Sequence, residues 1–78
     1  MAEYRITTSR SDMAEVSVVT RRRVAAARQV YATAVWDVMR WASLLDRSIA
    51  RRLVDRARCA EPGHTTKFAP FTVSFTRR

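Results

Sequence analysis

TRRRVAAARQVYATAVWDVMRWASLLDRSIARRLVDRARCA, residues Thr20–Ala60, contains neither glycine nor proline. Within it Val24, Ala27, Tyr31, Val35, Val38, Ala42 and Leu45 recur in steps of three and four, the spacing that gathers apolar side chains on one face of an α-helix. Thr20 is placed to cap the start, because its hydroxyl can accept from an otherwise unpaired backbone N–H. One unbroken helix of this length would run about 60 Å, far beyond the diameter of a domain this small. The stretch therefore bends or breaks. The break is expected near Ala42–Asp46, where Ser43 can cap a second helix and the apolar stripe changes phase to Leu45, Ile49, Leu53 and Ala57. A straight helix zipped into a homodimer is the open alternative to the preferred monomer.

On the N-terminal side, Glu3–Thr8 alternates Tyr4, Ile6 and Thr8 with Glu3, Arg5 and Thr7, the period of a strand. Ser9-Arg10-Ser11-Asp12 has the composition of a turn, and Met13–Val19 resumes extended character through Val16, Val18 and Val19, which together predict a β-hairpin. On the C-terminal side, Glu61-Pro62-Gly63 ends the second helix, since proline cannot continue it and glycine tolerates the exit. Phe71, Val73 and Phe75 alternate with Thr72, Ser74 and Thr76 in a last strand, with Pro70 marking an edge position or the strand's beginning. The expected order is β-β-α-α-β, an α+β fold whose three-stranded, mostly antiparallel sheet packs on two helices. Tyr4, Ile6, Val16, Val18, Phe71, Val73 and Phe75 would face the helix stripes. The 78 residues form one domain. A chain of that size buries only roughly 60 to 65% of its unfolded surface, so few apolar side chains can be spared from the core.

The charge is the unusual property. Fifteen basic residues, all arginine except Lys67, stand against seven acids and give a net charge of +8. GC-rich coding accounts for arginine in place of lysine but not for the excess over acids. Such a field draws nucleic acid, acidic protein faces and nucleoprotein complexes, and guanidinium forks match phosphates and carboxylates. Cys59 is the single cysteine, so the sequence offers no intramolecular disulfide and no thiolate zinc cluster, in keeping with a reducing, cytoplasmic setting. The opening Met-Ala-Glu-Tyr-Arg-Ile has no leader pattern, and no stretch approaches the ~18 apolar residues of a membrane span.

Several residues are candidates for contact. Arg21, Arg22 and Arg23 fall in the expected first turn of the long helix, where the macrodipole disfavours cations unless an anion sits among them. Taken at ~100° per residue, Trp36 projects away from the apolar stripe, beside Gln29, Thr33 and Arg40, and a tryptophan next to arginine on a polar face has the make-up of an interface hot spot or a base-stacking platform. Trp41 flanks the stripe and is expected in the core. Arg47, Arg51 and Arg58 share an outward face of the second helix, with Arg52 and Arg56 on its shoulder and Asp55 in reach of Arg51 and Arg58. Arg5, Arg10, Arg77 and Arg78 extend the positive surface.

The apparatus of catalysis is not visible. His64 follows the Pro-Gly turn with no Cys or His at metal-ligand spacing and is expected as a surface turn residue. Asp37, Asp46 and Asp55 recur every nine residues, which puts successive carboxylates on opposite sides of a helix. There is no Gly-rich phosphate loop, and the sequence implies no cofactor and no metal.

In whole-chain character the sequence resembles anti-CRISPR proteins, which are single compact domains of this length, often α/β, without a catalytic motif. The resemblance implies a non-enzymatic phage or mobile-element inhibitor that binds a surveillance complex stoichiometrically. The positive charge departs from the acidic DNA mimics of that class, so the expected partner is an acidic protein surface or a nucleoprotein complex. The alternative is a phage regulator that binds DNA or RNA directly through its arginines, although helix-turn-helix, RNA-recognition and zinc-finger signatures are missing. Salt dependence of nucleic-acid binding separates the two.

Overall fold

The computed structural model describes residues 2–11, 13–42, 47–68 and 70–78. Its elements are β1 (Tyr4–Arg10), β2 (Met13–Thr20), α1 (Val24–Ala42), α2 (Arg47–Arg58), β3 (Thr65–Phe68) and β4 (Phe71–Arg77). The strands form one four-stranded sheet in the order β2-β1-β4-β3. Every pairing in it is antiparallel. The fold is α+β as the sequence implied, but the sheet has a fourth strand. β3 escaped the sequence reading because its inward residue is Thr66, a polar side chain that takes a core position by bonding the Tyr31 hydroxyl. Pro70 lies in the turn just before β4, so its missing N–H costs the central strand nothing.

Tyr4 and Ile6 of β1 and Val73 and Phe75 of β4 face α1, which buries Ala27, Tyr31, Val35, Val38 and Met39. The two central strands are the ones α1 covers. β2 lies at the edge beyond it. Val18 stands opposite Ile6, and Val16 opposite Thr8, so both point to the helix side. Both were expected in the core, yet they are 49% and 64% exposed because the helix layer packs over β1 and β4 and leaves β2 largely uncovered. Phe71 is likewise only half-buried, and the Arg10 guanidinium lies 5.6 Å from its ring centroid.

α1 ends at Ala42 and α2 begins at Arg47, where the change of stripe placed the break. The two helices pack on each other, which excludes a single straight helix. The proposed Ser43 cap, Leu45 and Asp46 lie outside the described residues, as do the side chains of Trp41 and Arg47. The buried face of α2 is Ala50, Val54 and Ala57. The expected stripe of Ile49, Leu53 and Ala57 is thus rotated by about one residue, leaving Leu53 half-buried and Ile49 exposed. The buried side chains of this face are small, which suits close helix packing better than a face of Ile and Leu would.

Thr20 is the last residue of β2 and does not cap α1. Its hydroxyl accepts from Arg22 N–H at 3.4 Å, and the first helical bond runs from Ala27 N–H to Arg23 O at 3.1 Å. Arg21–Arg23 therefore form the connection into α1, and its first turn is Val24-Ala25-Ala26. At the far end of α2, Cys59 and Ala60 N–H donate to Arg56 and Ala57 O, tightening the last turn. Gly63 then takes φ of +104°, a conformation side-chain-bearing residues avoid, and donates to Phe75 O at 2.6 Å.

Candidate binding groove and the arginine clusters

Arg28 sets the relation of the two helices. Its Nε donates to Ala60 O and its Nη2 to Glu61 Oε1, both at 2.8 Å. The end of α2 is thereby tied to the start of α1, and the pair runs antiparallel. The sequence reading did not single Arg28 out, because nothing local marks a bond made across 32 residues.

Between the helices lies an open groove of about 1060 Å³. Gln29, Thr33 and Trp36 form one wall, and Arg51, Asp55 and Arg58 form the other. Both walls carry the same i, i+4, i+7 spacing, the one that stacks side chains along a single helix face. Ala32 and Val54, both buried, make an apolar floor, and Ser48 also lines the groove. Trp36 is 45% exposed, as its helical phase indicated.

The electrostatics of the groove are uneven. Arg58 Nη1 lies 3.4 Å from Asp55 Oδ1, so that pair is internally compensated. Arg51 forms no ion pair among the described residues and supplies the groove's net positive charge. Both carboxylate and arginine of the Arg58 pair are well exposed, so solvent screens it and it contributes little to stability.

Of the sequence candidates, Trp36, Arg51 and Arg58 meet in this groove. Arg40 is exposed in the last turn of α1, one turn beyond Trp36 and outside the groove walls. Arg47 begins α2. Arg21–Arg23 belong to another place altogether, the end of the sheet where Thr20, Tyr4 and Arg77 stand in one lateral row. There Glu3 lies 3.6 Å from Arg21, 3.9 Å from Arg5 and 4.0 Å from Arg78. The expectation that the triplet occupies a helical first turn is corrected: the three residues precede α1, and of them Arg21 joins Arg5 and Arg78 around Glu3, a pairing that spans the whole chain.

His64 also departs from its expectation as a surface turn residue. It follows the Gly63 turn, but its ring is half-buried, with Nδ1 2.8 Å from the Tyr31 hydroxyl and its plane edge-on to that ring. The Tyr31 hydroxyl also lies 2.6 Å from Thr66 Oγ1 and 3.5 Å from Val73 O. Burial raises the Tyr31 pKa, partly offset by the bonds to Thr66. Tyr31 and Thr66 lie in the core, and His64 covers them from the half-buried side. Among the described residues no group of three His, Cys, Asp or Glu is placed to hold a metal ion, and no helix is long and apolar enough to cross a membrane. Cys59 is an exposed free thiol.

Chemically the groove offers an aromatic wall, an uncompensated guanidinium, amide and hydroxyl partners and an apolar floor, a set suited to holding a ligand by contact. Comparison with known proteins gives no match to this chain among family models, curated proteins or solved structures.

Proposed function

We propose that this chain is a small non-catalytic binding protein that takes an acidic protein segment into the α1–α2 groove. On this reading it inhibits a nucleic-acid-handling complex stoichiometrically, in the manner of the anti-CRISPR proteins it resembles in size and class. The observation that carries the reading is the exposed indole of Trp36 on one wall with Arg51 and Arg58 on the other. Tryptophan and arginine around a partly desolvated floor are the residues from which interface hot spots are built. The chemistry favours a protein ligand over a phosphate backbone. Two arginines against Asp55 leave a net charge of about one, too little to hold a polyanion, while Ala32 and Val54 suit an apolar side chain flanked by a carboxylate.

The test is titration of a purified CRISPR surveillance complex with the protein, reading target-DNA binding. A binding inhibitor gives an end point at a fixed molar ratio. Continued loss at far lower ratios would mean turnover and would overturn the proposal, as would no effect at all. Trp36→Ala is expected to weaken association by about 2 kcal/mol or more, roughly thirtyfold, with the melting temperature unchanged. An equal loss of thermal stability would place the ring's role in folding.

A further inference from the structure

We infer that the arginine end of the sheet is a docking surface for the phosphodiester backbone of a nucleic-acid duplex. It is a different surface from the α1–α2 groove and stands independently of the reading given for that groove. Arg5, Arg21 and Arg78 converge there from three separate pieces of chain, with Arg22, Arg23 and Arg77 beside them in sequence. The register decides it: Thr20 pairs with Tyr4 and Tyr4 with Arg77, so Arg21, Glu3 and Arg78 leave the sheet side by side, with Arg5 one residue inside it. The main chain confirms the closeness, with Arg78 N–H donating to Glu3 O at 2.8 Å.

Glu3 is the one carboxylate within 4 Å of these six guanidiniums among the described residues, and it is shared by three of them. One negative charge cannot compensate the three guanidiniums that share it. The N-terminus of α1 opens toward the same end with no acid in its first turn, so its partial charge adds to the excess. An anion with several charges at fixed spacing relieves all of these at once.

The absence of a stacking surface selects the duplex. Tyr4, the aromatic at this end, is buried under α1, so no ring there is available to an unpaired base. The outer face of the sheet beyond it carries the hydroxyls of Thr7, Ser17 and Thr76, which suit phosphate and sugar contacts without reading sequence. A duplex presents its phosphates outward at high density, whereas a single strand without stacking gives up much of its binding energy.

The experiment measures affinity for a mixed-sequence 20-bp DNA duplex and for a 20-nucleotide poly(dT) strand between 0.05 and 0.2 M salt. About four phosphate contacts would give a log–log slope near −3.6 for the duplex. Arg21 and Arg78 are each 73% exposed, so Arg21→Gln/Arg78→Gln leaves the fold intact. This double variant is expected to flatten the slope by about 1.8 and weaken binding at least about tenfold at 0.1 M salt. Arg51→Gln/Arg58→Gln removes the same charge from the groove and should change the slope by less than half as much. Equal effects of the two pairs would show a diffuse response to net charge and overturn the proposal. So would tighter binding of poly(dT) than of the duplex, or no duplex binding at 0.05 M salt. Trp36→Ala should bind the duplex like the parent chain, so failure of this proposal and failure of the groove reading are told apart.

Discussion

Tyr31 is the largest side chain fully removed from solvent, and its hydroxyl is a polar group the core must satisfy. It does so by contact with His64 and Thr66, while the ring stacks on Phe75 at 5.3 Å. Tyr31→Phe keeps the ring and removes the oxygen, leaving Thr66 buried without that partner. The expected loss is about 1–3 kcal/mol in urea unfolding, the range for a buried polar group deprived of its bond. Burial raises the phenol's pKa in the fold above its unfolded value. The folded state therefore holds the proton more tightly. The stability linked to it is complete below the unfolded pKa and is lost as pH rises through the higher folded one. Parent stability should fall on the alkaline side of pH 10, and Tyr31→Phe should lack this part of the fall. A parallel pH profile in the variant would mean that another group causes it.

At the scale of elements, β1 and β2 look alike in sequence and differ in what covers them. Ile6 and Val18 face each other across the pair and point to the same side. Ile6 is sealed beneath α1, and Val18 lies past the helix. Ile6→Ala should cost about 2–5 kcal/mol in denaturant unfolding, whereas Val18→Thr should stay within about 0.5 kcal/mol. Comparable losses at both sites would mean that β2 is covered in solution. Alternation made these strands legible and even gave their sides correctly, because the side-chain period of a strand is a local property. It could not say how far a helix layer extends across a sheet. The same limit applies to α2, whose buried face is Ala50, Val54 and Ala57 and not the most apolar stripe.

For the whole molecule, a net charge of +8 on 78 residues opposes compaction through self-repulsion. Among the described residues its ion pairs are few and mostly exposed, so screening should relieve more repulsion than attraction. Raising NaCl from 10 to 150 mM shortens the Debye length from about 30 to about 8 Å and is expected to raise the melting temperature by about 2 °C or more. A lower melting temperature would show that the Arg28–Glu61 and Glu3 contacts outweigh the repulsion. The sequence by itself determined the α+β class, the break between the helices, the outward phase of Trp36 and the excess of arginine, since periodicity and charge are carried by neighbours along the chain. Only the tertiary structure decided that Arg51 and Arg58 would face Trp36 across a groove and that Arg5, Arg21 and Arg78 would meet around Glu3 at one end of the sheet. Those meetings depend on strand order and helix pairing, which join residues far apart in sequence through contacts that no local pattern encodes.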